Sequence, residues 1–271
     1  LGKEPFLLGM WVGYSMTPNM HQASQAALEE LKNDQSASPA DGSPWQTNYC
    51  PWCGERVNKF GSPNYANYKF DYTTKWTLLR CTNTTSKCEF TDRGFSHDKI
   101  LPLVTVDSDV YTRCPSMIIA TVDKFARLPF RPETANIFGR ARRRCKLHGF
   151  LPKEKYVSCK IEGTGAHRGG SKASVDDINS HFPPDLIIQD ELHLISGPLG
   201  TMVGLYETAV DFLTTSNIDG KTVRPKVIVS TATIKAAKEQ VRKIFDRKDT
   251  VVFPPPGADI KDSFFSWQTG K

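Results

Sequence analysis

Apolar and polar positions alternate between distinct regimes along the chain. From His21 to Lys32 the apolar residues recur at helical spacing and predict a helix. Asn33 to Pro44 is almost wholly small or polar and reads as a linker with no means of building a core. Tyr68 to Arg80 is rich in aromatic and β-branched residues and partly alternates, which predicts a hairpin. Ser116-Met-Ile-Ile-Ala-Thr121 is a short apolar run closed by small polar residues, and Val122 to Arg127 continues it at helical spacing, so a strand feeds a helix. Two further runs, Pro184-Asp-Leu-Ile-Ile-Gln189 and Pro225-Lys-Val-Ile-Val229, are apolar without alternation, as in strands buried on both faces. Leu199 to Leu213 and Ile234 to Asp246 follow them at helical spacing. Strands and helices in this succession predict an α/β fold on a parallel sheet.

Composition narrows the class. The 271 residues are 39% hydrophobic and 24% charged, and no apolar run approaches the ~20 residues that cross a bilayer, so a membrane partner is not expected. The chain opens Leu1-Gly2-Lys3-Glu4 and closes Trp267-Gln-Thr-Gly-Lys271, and both ends read as cuts through a longer polypeptide. The net charge of +6 is unevenly placed. Between Lys124 and Lys172 thirteen Lys/Arg stand against three Asp/Glu, a local +10, which leaves −4 for the rest. Arg140, Arg142, Arg143, Arg144 and Lys146 are the densest run, suited either to neutralising phosphates or to a solvated loop. Gly163 to Ser174 is glycine-rich, but no apolar strand precedes it, so it reads as a loop and not as a phosphate cradle.

Seven cysteines, an odd number at uneven spacing, argue against a secreted disulfide framework and for a reducing, cytoplasmic compartment with metal ligands. Cys50-Pro-Trp-Cys53-Gly54 is a two-residue-spaced knuckle with a glycine where the backbone must turn. Cys81 and Cys88 form a second pair, and the predicted hairpin between the pairs would bring all four thiols to one structural Zn²⁺ in a zinc-ribbon-like module. A rival site would use Cys145, His148 and Cys159, without an obvious fourth ligand. Cys114 reads as a packed thiol. Trp45, Trp52 and Trp76 near the cysteines would either stack on bases or fill the module's small core, and core packing is the expectation.

The strongest chemistry lies in Gln189-Asp190-Glu191-Leu192-His193, where an apolar strand runs into two carboxylates at the carboxyl end of a parallel sheet. Asp190 could hold Mg²⁺ through its waters while Glu191 polarises an attacking water; two acids favouring a helix N-terminus is the plainer alternative. The second strand ends comparably, in Ser230-Thr231-Ala232-Thr233. An Asp-Glu-x-His box and a Thr-Ala-Thr some forty residues later resemble motifs II and III of superfamily 2 DExH-type helicases, and Ala120-Thr121-Val-Asp-Lys124-Phe-Ala-Arg127 resembles their motif Ib. More narrowly, Gln189 to Thr201, Thr121 to Phe125 and the Cys-Pro-x-Cys-Gly insertion resemble the helicase subunit of DISARM anti-phage defence systems.

The resemblance implies a partial RecA-like parallel-sheet lobe with an inserted zinc-ribbon-like β module. The lobe would occupy 1–45 with the linker, 98–135 and 183–250, the cysteine module 46–97, a basic insertion 136–182, and 251–271 would lead toward a second lobe. It implies an ATP-dependent DNA helicase or translocase in which Asp190 engages Mg²⁺, Glu191 positions the hydrolytic water, and His193 links that site to Thr231 and Thr233. Thr121 and Lys124 would touch the nucleic-acid backbone, with Arg127 a looser candidate; Arg142, Arg143 and Arg144 join them on charge alone. A partner subunit of a defence complex is also implied. No Gly-x-x-x-x-Gly-Lys-Ser/Thr loop occurs in the sequence, so these residues alone are expected to turn over no ATP. The alternative from another class is a zinc-stabilised binding or scaffolding segment without motor activity.

Overall fold

A computed structural model describes residues 6–34, 36, 38, 41–58, 63–83, 88–151, 174–178, 181–194, 197–231, 237–247 and 249–253. It divides into two compact units, 1–184 and 185–271. The glycine-rich stretch up to Ala173, Cys159 and Thr233 lie outside the described residues. Among the described residues no helix is long and apolar enough to cross a membrane.

In the first unit, β1 (Leu8–Trp11) precedes α1 (His21–Asn33), the antiparallel hairpin of β2 (Tyr68–Phe70) and β3 (Thr77–Leu79), and then β4 (Leu103–Val104), α2 (Asp107–Arg113) and β5 (Met117–Ala120). β1 is the middle strand of a parallel sheet ordered β4-β1-β5. Its register sets Leu8 beside both Leu103 and Met117, and Trp11 beside Ala120. Gly9 is required there: a Cβ would fall 2.8 Å from the ring of Pro115. The predicted helix after β5 is a 3₁₀ helix, Val122–Arg127.

Besides the residues buried beside that sheet, Trp11, Val104, Val110 and Tyr111 among them, this unit has a core around the cysteines. Ser24, Ala27, Leu28 and Leu31 form the buried face of α1. Leu28 and Leu31 pack in one cluster with Val57, Tyr68, Phe70, Leu79, Leu101 and the thiols of Cys50, Cys81 and Cys88. Burial of each leucine contributes roughly 1.5–3 kcal/mol. Thus α1, expected with the sheet lobe, shares its core with the cysteine hairpin. The Oγ atoms of Ser24 and Thr77 lie 2.6 Å apart, and the Thr77 amide donates to buried Asp109 of α2 at 2.9 Å, so Thr77 ties the hairpin to both α1 and α2.

A smaller antiparallel sheet closes the unit: β6 (Arg143–Cys145) lies between β7 (Gly149–Leu151) and β8 (Val175–Asp177). Its register sets Arg143 opposite Asp177 and Arg144 opposite Asp176.

The second unit begins with β9 (Leu186–Gln189), a 3₁₀ turn Leu192–Leu194 and α3 (Gly197–Thr214). The hairpin of β10 (Ser216–Ile218) and β11 (Lys221–Val223), then β12 (Lys226–Val229) and α4 (Ala237–Phe245), complete it. β9 and β12 pair in parallel, with Leu186 beside Lys226 and Gln189 beside Val229. Equal register makes both strands end at the same edge.

Candidate functional site

The four predicted thiols do converge. The Cys50, Cys53, Cys81 and Cys88 sulfurs all lie within 4.8 Å of one another, with Cys50 to Cys88 at 3.8 Å and Cys53 to Cys81 at 3.6 Å. A tetrahedron of sulfurs around zinc at ~2.3 Å has edges of ~3.8 Å, whereas a disulfide needs ~2.05 Å, so the donor set fits a structural zinc ion. The knuckle is built by local hydrogen bonds: the Cys50 amide donates to the Glu55 carbonyl at 2.7 Å and the Gly54 amide to the Cys50 carbonyl at 2.9 Å. Gly54 has φ +75°, which a side chain would strain. Asn83 supplies outer donors, its amide to the Cys81 sulfur at 3.4 Å and its Nδ2 to Cys53 at 3.5 Å. The Asn83 side chain brings the Cys53 thiol down to about 7, while burial pushes Cys81 and Cys88 up. Asn83 carries no cysteine-like signature, and sequence reasoning missed it.

Cys145 Sγ and His148 Nδ1 are 3.6 Å apart and fully buried. Among the described residues, the only metal-competent group of three or more is the four-cysteine one.

At the shared edge of β9 and β12 the acidic box meets Ser230, a residue the sequence did not single out. Ser230 Oγ donates to Asp190 Oδ1 at 2.6 Å, and the Glu191 amide donates to the same oxygen at 2.9 Å. These two bonds hold the Asp190 carboxyl below its ordinary value, the Ser230 bond contributing most. The Leu192 amide donates to the Ser230 carbonyl at 3.0 Å and locks the two strand ends together. Glu191 has φ +53°, a left-handed conformation costing ~1–2 kcal/mol for a residue with a Cβ. His193 Nδ1 lies 3.1 Å from Glu191 Oε2. Thr231 is half-buried next to this edge in sequence. The arrangement offers an ionised carboxylate engaged through one oxygen, beside a second acid poised by a histidine.

The residues expected at nucleic acid are placed differently from one another. Thr121 is exposed and Arg127 half-buried. Lys124 is instead only 2% exposed: its Nζ is 2.6 Å from Asp107 Oδ2 and 2.9 Å from Asn19 Oδ1. Asp107 also accepts from the Tyr111 hydroxyl at 3.4 Å, and that hydroxyl accepts from Trp11 Nε1 at 2.8 Å. Lys124 therefore neutralises a buried acid whose carboxyl burial pushes up to about 6.

Arg142 and Arg144 are exposed, with the Arg144 guanidinium over the Phe150 ring at 5.3 Å. Arg143 pairs with Asp177 at 3.0 Å, and Lys146 with Asp176 at 3.7 Å. The basic run is thus partly offset by the neighbouring strand, which begins just past the end of the positive window.

No protein-family model matches the chain. The chain spans about a fifth of the length of a relative it resembles along almost its whole extent. That relative is the DISARM protein DrmA of Bacillus paralicheniformis, 39% identical over 270 residues, which are 98% of this chain and 22% of that protein.

Proposed function

We propose that this chain is part of the first RecA-like lobe of an ATP-dependent DNA helicase or translocase acting in anti-phage defence. The observation that carries the reading is the hydrogen bond of 2.6 Å between Ser230 and Asp190 at the common end of two parallel strands. It joins the Asp190 carboxylate of the acidic box to the end of the second strand, as the resemblance to motifs II and III would have it. Similarity to DISARM protein DrmA over 98% of the chain supports the defence context and a partner subunit.

Both hydrogen bonds to Asp190 use Oδ1, and the residue is exposed, so its second oxygen is accessible to a hydrated cation. Asp190 would hold Mg²⁺ through water; the cation supplies charge neutralisation at the phosphates of ATP. Glu191 would orient the attacking water, and His193, 3.1 Å away, fixes the rotamer of that acid. Thr231 and Thr233 would report nucleotide state to the strand-contacting residues. Thr121, Arg127, Arg142 and Arg144 would meet phosphates, while Lys124 shapes the 121–127 segment from within. The zinc module is structural in this reading.

Glu191→Gln in the whole protein should retain ATP binding and lower DNA-stimulated hydrolysis by at least ~100-fold. Unchanged turnover would overturn the assignment and leave the zinc-stabilised binding segment.

A further inference from the structure

The three tryptophans of the cysteine module have separate environments. Trp45 packs against the core cluster and meets Tyr68 edge to face, and the guanidinium of Arg113 lies 4.7 Å from the centroid of the Trp76 ring. Trp45 meets the core-packing expectation, while Trp76 is half-buried against Arg113 and His97. Trp52 departs from that expectation, being 61% exposed. It sits inside the turn between two metal-ligating cysteines, and the Phe90 ring meets it edge to face, centroids 5.9 Å apart at 89°. One contact fixes the indole while much of it remains in water. Three residues earlier Tyr49 is 50% exposed and forms an antiparallel bridge with Arg56. The Arg56 guanidinium lies 5.4 Å from that ring's centroid and donates to the phenol oxygen at 3.0 Å.

We propose that Trp52, Tyr49 and Arg56 form a stacking platform for single-stranded nucleic acid on the cysteine knuckle, distinct from the phosphate-contacting residues of the sheet lobe. A large aromatic ring left in water on a metal-clamped turn contributes little to the fold, yet it loses little entropy on stacking, because the turn and Phe90 already fix it. Every base presents a π-face, so such a ring suits an enzyme that contacts a strand regardless of sequence. Arg56, held on Tyr49, supplies one positive charge beside that ring for a phosphate. From Gln46 to His97 the sequence carries seven Lys/Arg against four Asp/Glu, including Glu55 and Glu89 near the platform, and a zinc–tetrathiolate centre adds two negative charges. The module is nearly neutral when loaded, so stacking and not bulk charge dominates its contribution. The platform presupposes the nucleic-acid reading above and adds a contact to it.

Anisotropy titration of zinc-loaded protein with a fluorescein-labelled oligothymidylate, repeated at several salt concentrations, tests it. Trp52→Ala should weaken binding roughly tenfold or more with zinc content and the salt slope unchanged, and Trp52→Phe should recover most of the loss. Arg56→Gln should reduce the slope by about 0.7, the share of one phosphate. Wild-type affinity in Trp52→Ala overturns the platform; if charge reversal of Arg142 and Arg144 still weakens binding, the nucleic-acid reading survives without it. No binding by the wild-type protein at 50 mM salt overturns both. A 5-iodouracil oligonucleotide crosslinked to the wild-type protein gives a reading independent of any variant. Adducts on Trp52 or Tyr49 support the platform, and adducts confined to other residues, as expected if this surface serves a protein partner, overturn it.

Discussion

At the scale of single residues, buried charge governs what the molecule tolerates. Lys124 and Asp107 form a pair in which each is 2% exposed, and removing one partner leaves the other charge uncompensated. Lys124→Ala should therefore cost ~3–5 kcal/mol, while Lys124→Met combined with Asp107→Leu should recover most of it. Urea unfolding of the three variants reads the difference; equal losses in the single and double variants would assign the cost to packing instead. Glu207 poses the opposite case. It is 9% exposed on α3, and burial together with the neighbouring Asp211 carboxylate pushes it up to about 7 from the ordinary glutamate value of 4.5, against the pull of Arg247. An acid whose folded value lies above its unfolded one favours the fold when protonated, so this contribution is complete below pH 4.5 and is lost as pH rises through about 7. Burial likewise pushes Asp107 up to about 6 and Asp109 to about 7, which gives the first unit a dependence of the same sign. Glu207→Gln should raise the second unit's stability at pH 8 by ~1–2 kcal/mol and flatten its pH dependence between pH 5 and 8, as followed by urea midpoints.

At the scale of elements, the four-cysteine cluster and a helix share one core. Because Leu28 and Leu31 of α1 pack in the same cluster as Cys50, Cys81 and Cys88, chelating the zinc should lose the β2–β3 hairpin and loosen α1 with it. Elemental analysis should find one zinc per chain, and chelation should lower the far-UV helical signal and the thermal midpoint together. A helix signal unaffected by chelation would separate α1 from the metal core. Leu31→Ala should cost ~2–5 kcal/mol and weaken zinc retention in parallel. The hairpin and the convergence of the four thiols were legible in the sequence because both signals are local: thiol spacing across a turn, and aromatic and β-branched residues between. The partner of α1 was not, since an amphipathic helix announces that it has an apolar face without saying which surface covers it. The same limit hid Ser230, whose role follows from the equal register of two strands some forty residues apart. It also hid Asp176 and Asp177, which reach the basic run only across β6 and β8. Lys124 was misplaced because a motif match fixes a residue's position along the chain, whereas its burial depends on Asp107 and Asn19, distant in sequence.

At the scale of the whole molecule, both units leave apolar side chains in water, Met117, Ile119 and Phe130 in the first among them, but among the described residues the second, less than half as long, exposes as many large ones. The first has a closed cluster around the cysteines, but α3 of the second buries Val203 and Val210 on one side and exposes Met202, Leu205 and Phe212 on the other, Phe212 at 76%. Its parallel strand pair also leaves Leu186, Ile188 and Ile228 exposed, although parallel sheets ordinarily have both faces covered. A stripe of this kind promotes binding of apolar probes and association more than it stabilises the fold. Unfolding in urea should accordingly occur in two steps, with the second unit first. Intrinsic tryptophan emission should follow mainly the first unit, because four of the five tryptophans, Trp11, Trp45, Trp52 and Trp76, belong to it. Phe212→Ser should shift the earlier step by less than ~0.5 kcal/mol while reducing the binding of an apolar dye in the native state. A destabilisation of several kcal/mol would mean that Phe212 is covered in solution, and coincident transitions by fluorescence and circular dichroism would mean that the two units unfold as one.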